Sequence, residues 1–187
     1  MRRPSLPFLL LPLLACASSG ARSGGANAPA PPDRVVLVDE RGRIYRSPVL
    51  RNEAEEQVVP GTMQQSVQAL VAAYESLGLS VNTVDWTTGL VAARGLAAPR
   101  RIGGIVLGRY VDCGSTQVGQ QRADSYAVTL NTESVVRPGE TGRMVISTFM
   151  NGSARPRGVA GEPVPCATTR ALERRIHLQV AKQLAGG

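Results

Sequence analysis

Hydrophobic positions change their spacing several times along the chain, and each change predicts an element. Over residues 63–77 the apolar side chains Met63, Val67, Leu70, Tyr74 and Leu77 recur at steps of three and four, which lays one stripe along a helix. Thr62 with Gln65 three residues later fits a capping box at its start. Gly78 followed by Leu79 fits a left-handed stop at its end. Residues 35–38 and 43–45 read as two strands around the turn Glu40-Arg41-Gly42, a hairpin pattern. Residues 81–95 read as a second hairpin joined at Thr87-Thr88-Gly89, its β-branched residues and Trp86 favouring extended backbone. A further strand is expected over about 105–112, followed by an exposed polar loop over 115–124. Tyr126, Val128 and Leu130 then alternate with smaller or polar residues, a strand period. Turn residues over 137–142 send the chain back into a partner strand from Arg143. Residues 153–165, rich in Gly and Pro, read as loop. The last helix is expected to start near Thr168 or Thr169, with Leu172, Ile176, Val180 and Leu184 as its seam. Glu173 early and Lys182 late suit its dipole.

The order hairpin, helix, hairpin, strands, helix predicts the α+β class. Neither helix can bury its stripe alone, so we expect an antiparallel sheet of about five to seven strands with two helices packed on one face. Residues 34–187 suffice for a single domain with its own core.

The residues ahead of that domain follow different rules. Arg2 and Arg3 precede an apolar run that ends at Ala15, the layout of a secretory signal over residues 1–15. The run is shorter than the roughly 20 residues a membrane span needs, and Pro7 and Pro12 interrupt it. Residues 17–33 are almost all small residues, Gly and Pro without periodicity, so 16–33 reads as a spacer unable to pack a core. Leu13-Leu14-Ala15-Cys16 resembles the lipobox of bacterial lipoproteins, which are cut just before a cysteine that is then acylated. The resemblance implies that Cys16 is the lipid anchor and that the protein meets the membrane through its acyl chains. A non-acidic residue such as Ala17 after that cysteine implies the outer membrane, with the domain facing the periplasm. The alternatives are an inner-membrane anchor, or ordinary export with cleavage near Ala15 or Ala17 and a soluble periplasmic product.

Export changes how the other cysteines read. Cys113 and Cys166 remain as a pair, and in an oxidising compartment paired cysteines form disulfides. Two buried free cysteines, or a metal or catalytic role, are the competing readings. The formal net charge is +7. Arg2 and Arg3 supply two of those charges, so without the leader it is +5. The arginines are spread along the chain, lysine appears only at Lys182, and aromatics make up 4% of residues. That composition suits a GC-rich genome better than a nucleic-acid binder, although guanidinium groups would also suit anionic lipid headgroups.

Catalytic chemistry finds little purchase. His177 is the only histidine and is expected at the surface or rim, on the polar side of the last helix. No Gly-x-Ser-x-Gly motif marks a nucleophile for it. No His/Cys cluster offers the three or four ligands a zinc site needs. Asp85 and Asp112 could pair only if the fold brought them together. Gly103, Gly104 and Gly108 are not followed by Gly-Lys-Ser/Thr, so the phosphate-loop pattern is incomplete. Trp86 is expected to pack on the core or its rim. These readings exclude no activity, but they lead us to expect no enzyme, no metal and no cofactor.

The run from Ser66 through Arg94 combines an amphipathic helix, a glycine stop, a strand, an Asp-x-x-x-Gly turn and another strand. It resembles the helix-grip modules of BamC-type outer-membrane assembly lipoproteins, in which a sheet wraps a long terminal helix. That family has two such modules and a long N-terminal segment, where this chain has room for one module and a short spacer. The resemblance implies a non-catalytic binding or scaffold module in outer-membrane assembly or maintenance, with an envelope protein as partner. The alternative is a periplasmic carrier of a small ligand or lipid. An apolar cavity between sheet and helices would favour the carrier; a filled core with an exposed apolar patch would favour the protein partner.

Overall fold

A computed structural model describes residues 34–38, 44–48, 53–158 and 160–186. The signal, Cys16, the spacer and the turn at Glu40-Arg41-Gly42 lie outside the described residues.

The apolar stripe of the first helix is also its buried face. Helix α1 (Met63–Ser76) buries Val67, Leu70, Ala73 and Tyr74, with Leu77 just beyond its end. Its capping box is formed: the Gln65 amide donates to Thr62 Oγ1 at 3.2 Å, and the Thr62 amide donates to Gln65 Oε1 at 2.9 Å. At the other end Gly78 has φ +75°. The Leu79 amide donates to the Tyr74 carbonyl and the Gly78 amide to the Glu75 carbonyl, each at 2.9 Å, the paired bonds of a Schellman stop.

Strands β1 (Arg34–Val38) and β2 (Ile44–Pro48) pair antiparallel as a two-stranded sheet of their own. The main sheet has seven antiparallel strands. These are β3 (Glu55–Val59), β4 (Thr83–Asp85), β5 (Leu90–Ala97), β8 (Val111–Asp112), β9 (Ala127–Pro138), β10 (Met144–Arg155) and β11 (Val164–Thr168), with β6 (Arg101–Ile102) and β7 (Ile105–Val106) set apart as a small hairpin. Their order is β4-β5-β9-β10-β11-β8, and β3 lies against the first half of β10, where β11 takes the second half. The long β9–β10 ladder runs unbroken from Met144 opposite Pro138 to Arg155 opposite Ala127.

Helix α1 and the last helix α3 (Ala171–Ala185) lie on one face of this sheet and pack on each other. They run antiparallel. Gln65 and Gln183 line one depression, while a Cβ on Gly103 would meet both Leu77 and Arg175 at 3.0 Å. The class is therefore α+β, with an antiparallel sheet and helices on it, as the periodicity predicts. A third, four-residue helix α2 (Arg122–Ser125) adds to the two expected.

Several boundaries differ from the sequence reading. The strand expected over 105–112 is broken into β7, a 3-10 turn at Leu107–Arg109, and β8. Gly103 and Gly104, with φ +52° and +84°, form the two-residue turn of the β6–β7 hairpin, and positive φ at both positions is what such a turn requires. This is a chain reversal, not a phosphate loop. The expected loop over 115–124 contains a Ser115–Gln121 bridge and the start of α2, whose Ala123 is buried. The expected loop over 153–165 yields residues at both ends, since β10 continues to Arg155 and β11 begins at Val164.

Helix α3 begins two to three residues late. The hydroxyls of Thr168 and Thr169 serve other groups: Thr168 donates to Glu173 Oε1 and Thr169 to the Arg109 carbonyl, both at 2.6 Å. Arg170 instead takes the turn with φ +61°, a conformation that costs a non-glycine residue about 1 kcal/mol. Its guanidinium offsets this by pairing with Glu53 at 2.6 Å and Glu55 at 3.7 Å.

Candidate functional site

Three places carry polar or exposed apolar groups that the packing of the core does not by itself explain: the sulfur bridge, the interior of the helix-sheet interface, and the open face of the sheet.

Cys113 and Cys166 are joined in a disulfide with both residues buried. It ties the end of β8 to β11, where only Ala167–Asp112 and Thr168–Val111 pair across the strands. Beside it lies a depression of about 260 Å³ lined by Arg109, Asp112, Gln121, Asp124 and Thr169 among others, smaller than the roughly 300 Å³ at which ligand pockets usually begin. Asp112 is buried and its Oδ1 accepts from the Gly114 amide at 2.8 Å. Asp85 sits at the other edge of the sheet, where its Oδ1 accepts from the Thr87 and Thr88 amides; the Thr88 hydroxyl, and after it these two amides, hold its carboxyl below the usual range. The two carboxylates are not brought together.

A hydrogen-bonded chain of side chains crosses the interior. Tyr74 Oη on α1 lies 3.0 Å from Ser134 Oγ on β9. Ser134 Oγ is 2.8 Å from Thr148 Oγ1 on β10, and Thr148 Oγ1 is 2.9 Å from His177 Nε2 on α3. Tyr74, Ser134 and Thr148 are at 0% exposure and His177 at 5%, so the surface position expected for His177 is corrected. The seam Leu172, Ile176 and Val180 is flanked on the same face by Glu173 and His177, all five buried. A buried face wider than one residue per turn carries the imidazole inward.

The direction of this chain follows from counting protons. Were Nε2 the donor, every proton would run toward Tyr74, and the tyrosine O–H would be left without an acceptor in the core. With Nε2 as acceptor, Tyr74 donates to Ser134, Ser134 to Thr148 and Thr148 to His177, and each hydroxyl proton is used. His177 is therefore the neutral tautomer protonated on Nδ1. Burial pushes its pKa down to about 4, against a smaller opposing effect of Glu55. Burial likewise raises Tyr74 and Glu173 above their ordinary values. A serine joined to a histidine through a threonine has the parts of a nucleophile and base, but a substrate would need an approach to Ser134, and none of its oxygen is exposed. What the arrangement does is fix α1, β9, β10 and α3 to one another.

Around this chain Val67, Leu70, Ala73, Val91, Leu130, Ile146, Leu172, Ile176 and Val180 are all at 0% exposure, so no water-sized space adjoins them. The interface between helices and sheet is filled. A second depression, of about 350 Å³, lies on the outer side of the helix pair between Gln65, Gln68, Gln183 and Leu184.

Among the described residues no helix packs on the other face of the sheet. By the ladder register Val58 stands opposite Val145, and Val135 is flanked by Leu90 and Ser147. Val58 is 50% and Val135 38% exposed, with Leu90, Val145 and Phe149 half-buried beside them. Ion pairs rim this apolar centre: Arg137–Glu56 at 2.9 Å and Arg94–Glu133 at 2.8 Å. Glu56 also accepts from Ser147, and these partners lower its pKa, the Arg137 bond most. Asn131 and Asn151 pair across the strands at 2.9 Å. Trp86, expected on the core or its rim, is 52% exposed in the β4–β5 turn; the three-residue β4 is too short to cover it.

Among the described residues no group of three or more His, Cys, Asp and Glu side chains is placed to hold a metal ion, and no helix is long and apolar enough to cross a membrane. In comparisons with known proteins, no family model and no curated protein matches the chain.

Proposed function

We propose that this chain is a membrane-tethered envelope lipoprotein whose domain binds a protein partner through the open face of its sheet, as a scaffold in outer-membrane assembly or maintenance. The observation that carries the reading is the apolar centre at Val58 and Val135, left exposed in a domain whose helix side is filled. An exposed apolar patch with a polar rim is the usual layout of a protein contact. A carrier would instead keep open the space between helices and sheet, which Leu70, Tyr74 and Ile176 occupy.

In this reading the acyl chains at Cys16 hold the protein to the membrane, each buried methylene contributing about 0.8 kcal/mol and more than one chain being needed for stable retention. The spacer gives reach. A precursor expressed in a bacterium is expected to fractionate with membranes, and its Cys16→Ser variant with soluble periplasm; equal release of both would remove the anchor from the proposal. The partner face has its own test. A photo-crosslinking residue at Val58 or Val135 is expected to capture one discrete envelope protein in cells, and Val58→Asp with Val135→Asp to abolish the adduct formed from Val145. Capture of the same protein by a crosslinker at Gln68, on the helix side, would place the contact elsewhere.

A further inference from the structure

The charges of the domain are unevenly partnered, and the unevenness has a location. At the middle of the sheet and at the end where β10 begins, glutamates and arginines pair: Glu53 and Glu55 with Arg170, Glu55 with Arg174, and Glu56 with Arg137. At the opposite end, where β10 finishes and β9 starts, arginines gather without carboxylate partners. Arg155 is the ladder partner of Ala127. Arg157 donates to the Tyr126 carbonyl at 3.3 Å, and the Arg122 guanidinium lies over the Tyr126 ring at 6.0 Å. Arg100 and Arg101 follow at the same end, because Ala97 pairs with Thr129 and the Ala98 amide donates to Val128. Arg100, Arg101, Arg155 and Arg157 are exposed and Arg122 is half-buried. Among the described residues none of the five makes an ion pair. Among the described residues the exposed acids toward this end are Asp124, Glu162 and Glu75 at the end of α1, fewer than the arginines, so positive charge prevails.

We propose that this end of the domain docks on anionic phospholipid headgroups. The guanidinium fork matches phosphate oxygens. Five arginines fanned over the end of a sheet suit a plane of headgroups better than a single phosphate, which would call for convergence into a cleft. Among the described residues the aromatic side chains at this end are Tyr126, half-buried under Arg122, and Tyr110, buried and bonded to the Ile102 carbonyl, so exposed stacking surfaces for bases, which single-stranded nucleic acid would want, are lacking. The inference concerns the domain and stands whether or not Cys16 is acylated.

The test uses the full chain carrying Cys16→Ser, so that no acyl group contributes and every variant shares one N-terminal segment. Co-sedimentation with phosphatidylglycerol vesicles is compared with phosphatidylcholine vesicles at 50 and 300 mM salt. Each arginine close to an anionic surface contributes roughly fivefold to partitioning. Arg100→Gln, Arg155→Gln and Arg157→Gln together are therefore expected to lower the phosphatidylglycerol partition at least about tenfold. Thermal melting should change little, since among the described residues Arg100 and Arg155 make no side-chain hydrogen bond or ion pair and Arg157 makes one exposed bond, to the Tyr126 carbonyl. Arg143→Gln, at the far end of the sheet, should leave partitioning as it was. Equal sedimentation with both lipids, an unaffected triple variant, an equal loss in Arg143→Gln, or tighter binding to a DNA duplex than to the vesicles would each overturn the proposal.

Discussion

Replacing Cys113 and Cys166 together by alanine is expected to lower the stability of the oxidised domain by about 4 kcal/mol. The cysteines are 53 positions apart, and closing a loop of that length removes roughly this much free energy from the unfolded chain's advantage. For a domain of this size the midpoint of thermal unfolding should fall by roughly 8–16 °C. The effect should be strongest locally, because β8 joins the sheet through two residue pairs only and β11 joins β10 through three. Without the bridge the segment that carries the β6–β7 hairpin, β8 and α2 keeps those few ladder bonds, the bonds of Thr169 to the Arg109 and Tyr110 carbonyls and of Arg175 to the Gly103 carbonyl, and the burial of Ile102, Leu107 and Tyr110. Alanine is the right replacement, since serine would bury a hydroxyl at positions that are 1% exposed. Thermal unfolding with and without reductant measures the effect, and hydrogen exchange at the Val111 and Asp112 amides locates it. An alanine pair that melts within about 3 °C of the oxidised wild-type protein would show that the bridge does not stabilise the domain.

That bridge was legible in the sequence because a leader read as a secretory signal, with Cys16 read as its anchor, leaves two cysteines with no other work to do, and the helix α1 was legible because stripe, cap and stop all agree. The elements that escaped notice share physical reasons. Strand β3 reads Glu-Glu-Gln-Val-Val, with one buried position, Val59, and charged side chains that the fold engages through Arg170, Arg174 and Arg137. Strand β11 contains Pro165, which ordinarily demotes a strand. Here Pro165 pairs with Ser153 on one side, and β8 reaches only Ala167 and Thr168 on the other, so the missing N–H breaks no ladder bond to β8.

The interior chain was the deeper omission. Thr132 and Ser134 continue the same alternate positions as Val128 and Leu130, and Thr148 lies between Ile146 and Met150. Hydroxyls at core parity on two neighbouring strands were the available signal. His177 was hidden by its neighbours Arg174 and Arg175, which gave its surroundings a polar look although it follows the seam residue Ile176. The open face of the sheet could not be read at all from periodicity. A half-buried valine and an exposed one alternate with polar residues in the same way, and only the cover that the fold gives each of them, which leaves Val58 and Val135 exposed, separates them.

Acidification from pH 6.5 to 4 is expected to destabilise the domain by about 3 kcal/mol through His177 alone. The unfolded chain takes up a proton on this imidazole near its ordinary value of 6.5, whereas the folded chain resists until about pH 4. Above 6.5 neither state is protonated there and stability is complete. As pH falls the unfolded state gains a proton that the fold lacks, so stability declines, and below 4 both states hold it and the loss levels off. The interior chain supplies the reason beyond desolvation. An imidazolium must donate from Nε2, so Thr148 would have to accept, every hydroxyl would reverse, and the Tyr74 proton would lose its acceptor. Glu173 works in the opposite sense: its carboxyl is held above its ordinary 4.5, so its contribution is complete in acid and declines as pH rises through the folded value. Substitution separates the two. His177→Gln keeps an acceptor for Thr148 but cannot charge, and should flatten the decline between pH 6.5 and 4; Glu173→Gln should leave that decline in place. Thr148→Val keeps the shape and removes the central link, which strands the Ser134 proton and His177 Nε2 and should cost about 2–3 kcal/mol at pH 7. Urea midpoints at pH 7, 5.5 and 4 for the four proteins decide the matter. Parallel profiles for wild type and His177→Gln would mean that the imidazole is not the group that senses acid. A neutral Thr148→Val would mean that the chain from Tyr74 to His177 does not hold helices and sheet together.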